Sequence, residues 1–108
     1  MPAVHVTEAE SAILEVLWRH GPLSPSRLIA EVQALRHWGA PTIKTLLGRL
    51  MHKRLVRSER DGRLILYRPL IDRDAYVEAE VQALVDRLFA GDPAALAAFL
   101  ADSDGKQV

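Results

Sequence analysis

The chain has 108 residues, 49% apolar and 26% charged, with no cysteine and a formal net charge of zero. That is one domain, or one small domain plus an appendage, and it excludes disulfides, thiolate metal sites and cysteine catalysis while fitting a reducing cytoplasm. The neutrality hides a gradient: residues 1–68 sum to +5, residues 69–108 to −5, and the window 44–68 alone to +6, an asymmetry that points to a polyanion partner for the basic half.

Thr7-Glu8-Ala9-Glu10 has the Thr-x-x-Glu form of a capping box and predicts the start of a helix. Ala9, Ile13, Val16 and Leu17 share its apolar face, and Gly21-Pro22 ends it. Ser24-Pro25 opens a second helix, with Ser as N-cap and Pro where a missing N–H costs nothing; Leu28, Ile29, Val32 and Leu35 form its buried side. The short turn between the two is that of a helix-turn-helix unit. Gly39-Ala40-Pro41 is expected to separate the second helix from a third that runs from Thr42.

On the third helix, Ile43, Leu46, Leu47, Leu50 and Met51 fill one arc of about 140° at 100° per residue. Counted from Thr42, the rest of the circle holds Lys44, Gly48, Pro41, His52, Thr45, Arg49 and Lys53, and no acid. A surface helix usually mixes both signs, because opposite charges at i,i+4 stabilise it. An outward face of Lys, Arg, Thr and His alone suits phosphates and base edges in a major groove. The blander reading is a basic surface helix with no ligand.

Leu55–Glu59 and Leu64–Pro69 are β-prone runs around Arg60-Asp61-Gly62-Arg63, and Asp-Gly there signals a hairpin. Arg60 and Arg63 beside the turn suit a wing touching the DNA backbone or a minor groove; the blander reading is a hairpin kept soluble by arginine. A helix-turn-helix followed directly by a basic-tipped hairpin is far more specific than either part. It predicts a mainly α winged helix over residues 1–70 with a small β-hairpin wing.

Residues 71–108 then form a helical region. Asp72 and Asp74 suit a helix start, and Val77, Val81, Leu84, Val85 and Leu88 make one apolar stripe that Gly91 stops. Asp92-Pro93 begins a shorter helix through Leu96, Phe99 and Leu100, with a frayed end from Asp102. These faces either fold back on the same domain or dimerise, and a homodimer supplies the two-fold symmetry of dimeric DNA readers.

No chemistry competes with this reading. His5, His20, His37 and His52 form no i,i+4 pair and lie beside no acids at ligand spacing, so no metal is expected. P-loop, dinucleotide and nucleophile-elbow motifs are missing, so neither an enzyme nor a cofactor is expected. Trp18, Trp38 and Tyr67 are read as packing residues. No apolar run approaches the roughly 20 residues of a membrane span, and Met1-Pro2-Ala3-Val4-His5 lacks the build of a secretory signal. The expected location is cytoplasmic, with no membrane partner.

Thr7-Glu8-Ala9-Glu10, Val16-Leu17-Trp18, Gly21-Pro22-Leu23, Thr42-Ile43-Lys44-Thr45-Leu46-Leu47 with Arg49-Leu50, Asp61-Gly62-Arg63, Tyr67 and Asp86-Arg87-Leu88-Phe89 together resemble the penicillinase-repressor family (BlaI/MecI/CopY-type winged-helix transcriptional regulators) over about residues 6–100. The resemblance implies a cytoplasmic homodimeric repressor whose winged helix binds a palindromic operator in double-stranded DNA. The DNA-binding set is then Thr42, Lys44, Thr45, Arg49, His52, Lys53, Arg60 and Arg63. The dimerisation set is Val77, Val81, Leu84, Val85, Leu88 and Phe99.

The chain departs from the family pattern in places. It lacks the C-terminal cysteine cluster of the copper-responsive branch. Ala98-Phe99 stands where β-lactam-responsive members are cleaved at Asn-Phe. Gly48 replaces a common Asn, and Ala40-Pro41 replaces a usual Pro-Lys. The end at Val108, earlier than the usual family length, implies that the last dimer helix is absent and the dimer weaker. A second reading is a winged-helix protein-interaction module without specific DNA binding, favoured by the zero overall charge and the apolar C-terminal stripe.

Overall fold

The computed structural model describes residues 5–106, and the side chains of residues 5–103. The described elements are α1 (Glu8–His20), α2 (Pro25–Leu35), α3 (Ala40–His52), β1 (Val56–Asp61), β2 (Leu64–Pro69), α4 (Arg73–Leu88) and α5 (Pro93–Lys106). They form two compact units, one through Arg73 and one from Asp74 on.

The caps read from the sequence are present. Thr7 Oγ1 accepts from the Glu10 N–H at 3.1 Å while Glu10 Oε1 accepts from the Thr7 N–H at 2.9 Å, so two orphan donors of α1 are satisfied reciprocally. Ser24 caps α2 with Pro25 at its first position. Gly21, at φ 79°, ends α1 in a conformation that side chains resist. The third helix starts two residues earlier than expected: Gly39 is its N-cap and Ala40-Pro41 its first turn, since a proline near a helix start gives up only an N–H without an intrahelical partner.

The core of the first unit is built from Ile13, Leu14, Val16 and Leu17 of α1, Leu28 and Val32 of α2, and Ile43, Leu46, Leu47 and Leu50 of α3. Four expected core residues lie outside it, Ala9 and Ile29 being only half-buried. Leu35 is 62% exposed, because α2 ends there and leaves it on the rim of a groove shared with Val16 and Val32. Met51 is 37% exposed, at the edge of the apolar arc of α3. Leu14, absent from the expected face of α1, is fully buried.

β1 and β2 pair antiparallel, from Val56 opposite Pro69 to Asp61 opposite Leu64. The connection is therefore Gly62-Arg63, with Asp61 the last residue of its strand. Gly62 has φ 64°, the positive angle that a type II′ turn asks of its first central residue. Leu23, between α1 and α2, exchanges backbone hydrogen bonds with Tyr67, which docks the hairpin on the helices. Trp18 Nε1 donates to the Ile71 carbonyl at 2.9 Å, and Arg73 pairs with Glu15 at 3.1 Å. Both bonds hold the end of this unit to α1.

α3 stops in a Schellman arrangement. The Arg54 N–H bonds the Met51 carbonyl at 3.0 Å and the Leu55 N–H bonds the Leu50 carbonyl at 2.9 Å, which satisfies orphan carbonyls at the helix end. Arg54 sits in the left-handed region, at φ 62°, where glycine is the usual occupant.

Glu10 is the buried charged residue of this core. Lys53 Nζ donates to its Oε1 at 2.6 Å and to the His5 carbonyl at 2.7 Å, so the start of α1 is tied to the end of α3. Burial pushes the Glu10 carboxyl up, but the Lys53 ammonium and the Thr7 N–H outweigh it and hold it below its ordinary value of 4.5.

In the second unit Phe89, the residue after α4, packs against Phe99 of α5, their ring centroids 5.9 Å apart and the rings tilted by 54°. Val85 lies one turn before Phe89 and is 1% exposed. α5 runs on to Lys106, past the fraying expected at Asp102. Its Asp, Ser and Gly residues are weak helix formers that cost well under 1 kcal/mol to about 1 kcal/mol each. Residues 107 and 108, also expected to fray, lie outside the described residues.

The lowered Glu10 carboxyl fixes a pH dependence. Its ion pair stabilises the fold above the unfolded carboxyl's range near 4.5 and loses that contribution as pH falls through the lower folded value. Lys53→Met leaves a buried, unpaired carboxylate and should destabilise the chain by about 3 kcal/mol at pH 7. The variant's carboxyl then titrates high, so part of the loss should return on acidification towards pH 4. Urea unfolding at the two pH values checks both, and an unchanged midpoint at pH 7 would refute the role given to Lys53.

Candidate nucleic-acid interface

The outward side of α3 is as bare as its composition suggests. Thr42, Lys44, Thr45, Arg49 and His52 are all exposed, and no acid pairs with Lys44 or Arg49 among the described residues. The Thr45 hydroxyl donates to the Pro41 carbonyl at 3.0 Å, a back-bond available to threonine on a helix. The helix has no side-chain cap at Gly39 and no acid in its first turn, so its own N-terminal N–H groups lie open at the same end as Thr42.

The wing separates its cations into two kinds. Glu59 accepts from Arg57 at 3.0 Å and from Arg68 at 2.7 Å. Those two cations flank the carboxylate from neighbouring positions of the antiparallel pair, Arg57 standing opposite Arg68. Their hydrogen bonds and charges hold the Glu59 carboxyl below its ordinary range. Arg60 and Arg63, nearer the turn, are exposed and have no acidic partner among the described residues. Arg63 is itself a turn residue, so its guanidinium is carried at the very tip.

Of the eight residues expected to meet DNA, seven are therefore on exposed surface: Thr42, Lys44, Thr45, Arg49 and His52 on α3, Arg60 and Arg63 on the wing. The eighth, Lys53, is not free. Its ammonium is taken by Glu10 and the His5 carbonyl, because a buried carboxylate needs a compensating charge. Sequence reasoning missed Arg54, which is exposed and without an acidic partner among the described residues. Its place in the basic window was the available signal, and its role in ending the helix was not.

The apolar set of the second unit is also divided. Val81, Leu88 and Phe99 are 45%, 57% and 57% exposed, while Val77 and Leu84 are half-buried. Val85 departs from the expected contact surface: it is 1% exposed within the single chain. Leu100, 55% exposed, extends the surface. No described helix is long and apolar enough to cross a membrane.

Comparison with known proteins places this arrangement. A family model described as "Penicillinase repressor" matches residues 6–107. The penicillinase repressor of Bacillus licheniformis is 29% identical over 86 residues, which cover 80% of this chain and 67% of that protein. Across the curated relatives, the matched region spans 57 to 71% of their own lengths. The solution structure of the DNA-binding domain of the repressor BlaI superimposes with a TM-score of 0.61 at 30% identity, covering 70% of this chain and 94% of that one. The solution structure of monomeric Bacillus licheniformis BlaI in complex with the blaP half-operator gives a TM-score of 0.63 at 29% identity, over 69% and 92% of the two chains. With nearly its whole length matched, and with the helix-turn-helix and wing in their expected places, the chain belongs to the penicillinase repressor family of transcriptional repressors.

Proposed function

We propose that the chain is a sequence-specific DNA-binding repressor that acts as a homodimer on a palindromic operator. The observation that carries this reading is the sorting of charge in the basic window. Lys53 is paired with the buried Glu10, and Arg57 and Arg68 share the single carboxylate of Glu59. Lys44, Arg49, Arg60 and Arg63 are left outward on a helix and a hairpin tip. Unpaired cations on those two elements suit a helix lying in a major groove and a wing on the adjacent backbone. The complex of the Bacillus licheniformis relative with its half-operator supports the same assignment for the matched domain. The exposed Val81, Leu88, Phe99 and Leu100 favour a second copy as the partner of the C-terminal helices.

On this reading Lys44, Arg49 and Arg63 meet phosphates or bases, Thr42, Thr45 and His52 complete the face of α3, and Arg60 supports the wing. Fluorescence anisotropy on the DNA upstream of the chain's own gene tests it, with a scrambled duplex as control. Lys44→Glu with Arg49→Glu should abolish binding while circular dichroism stays unchanged; retained binding would refute the docking. For the wild type, four such cations per protomer give eight per dimer. Each phosphate contact adds about 0.9 to the log–log salt slope, so the slope should approach about −7.

Glu59→Gln should release Arg57 and Arg68 towards the backbone. It should raise affinity at low salt and steepen the slope by up to about 2 per protomer. An unchanged slope would mean that neither arginine comes within reach of DNA.

Val81→Asp with Leu84→Asp should convert dimers to monomers in sedimentation. It should also weaken operator binding by about 100-fold or more, because two linked half-sites gain effective concentration. An unchanged mass would reject the interface.

A further inference from the structure

A cavity of about 260 Å³ opens beneath the recognition helix. Its walls are Ile29 from α2, Ile43 and Met51 from α3, and Tyr67 from β2, and its one charged lining residue is Lys44. No acid lines it, and Lys44 has no acidic partner among the described residues. Gly48 contributes to the space: a Cβ built there meets nothing within 4 Å, so this position leaves room where any larger side chain would project. A concave, mainly apolar site with one unpaired cation at its edge is the usual make-up of a small-ligand pocket, and the volume suits a compact molecule.

We infer that this cavity binds a compact apolar monocarboxylic acid whose carboxylate pairs with Lys44. The apolar body replaces water against Ile29, Met51 and the Tyr67 ring, and the carboxylate meets a charge-assisted donor. A cation would meet repulsion from Lys44, and the hydroxyls of a polar sugar would find few polar side chains besides Lys44 and Tyr67. The site has a regulatory consequence that rests on the DNA-binding reading above. Lys44 belongs to both surfaces, and an ammonium paired with a carboxylate is withdrawn from phosphate. Ligand and operator then oppose each other's binding, and the coupling is reciprocal.

The test uses the ¹⁵N-labelled full chain, with 2-naphthoate and octanoate as aromatic and aliphatic probes at constant ionic strength. Their amides, 2-naphthamide and octanamide, are the uncharged controls. At least one carboxylate should shift the backbone amides of Ile29, Gly48 and Met51 saturably, and its amide should bind at least tenfold more weakly. The same carboxylate should release a labelled operator duplex at matching concentrations. Ile29→Phe, which fills the cavity from α2, should abolish the response and leave operator binding unchanged.

If no saturable shift appears with either acid, the site is wrong; if amide and acid bind equally, the assigned chemistry is wrong. Binding without release of DNA would overturn the regulatory coupling. The titration on the wild-type chain without DNA decides the cavity even if Ile29→Phe does not fold. It also decides it if the chain binds no operator at all, a result that would refute the proposed function and the coupling separately.

Discussion

A carboxylate buried among hydrocarbon side chains is the constraint around which the first unit is arranged. Glu10 has no exposed side-chain surface, and a charge in that position costs several kcal/mol unless its lone pairs are met. Its Oε1 serves two elements at once, closing the cap of α1 and receiving the ammonium from the end of α3, while its Oε2 is buried with no hydrogen-bond partner among the described residues. Lys53 stands three residues ahead of β1, so the bond that closes the first turn of α1 is made just before the chain enters the hairpin. Burying one acid thus ties the first turn of α1 to the end of α3.

The same logic explains which cations face outward. Glu10 and Glu59 between them engage Lys53, Arg57 and Arg68. What remains is a narrower set than the local +6 implies: one side of a helix, the tip of a hairpin, and Arg54 at the joint between them. Narrowing has a benefit for recognition. A diffuse basic surface binds any DNA through counterion release, whereas a few cations held on rigid elements bind best in one register.

Local signals carried most of the architecture. Thr7-x-x-Glu10, Ser24-Pro25 and Gly62 each act through bonds or angles within a few residues, so they are legible before any tertiary contact is known. The misplacements share the opposite character. Nothing within reach of Lys53 in the sequence marks its partner 43 residues away. Val85 sits in a perfect apolar stripe, yet whether such a residue faces its own chain or another depends on the neighbouring helix. Leu35 fits the periodicity of α2 but falls where the helix ends. Proline at position 41 looked like a separator, and it is a first-turn residue instead. The cavity was invisible for the same reason, since its walls come from three elements.

Arg54 shows folding and charge drawing on one position. It ends α3 in a left-handed conformation in which a side chain costs about 1 kcal/mol or more over glycine. The residue held there is instead a long, exposed cation at the joint between recognition helix and wing. A helix stop chosen for stability alone would have no side chain. Position 54 therefore works as an indicator of use: where the joint must meet a polyanion the strained arginine is worth keeping, and in a descendant released from that duty glycine is the residue to which it would relax.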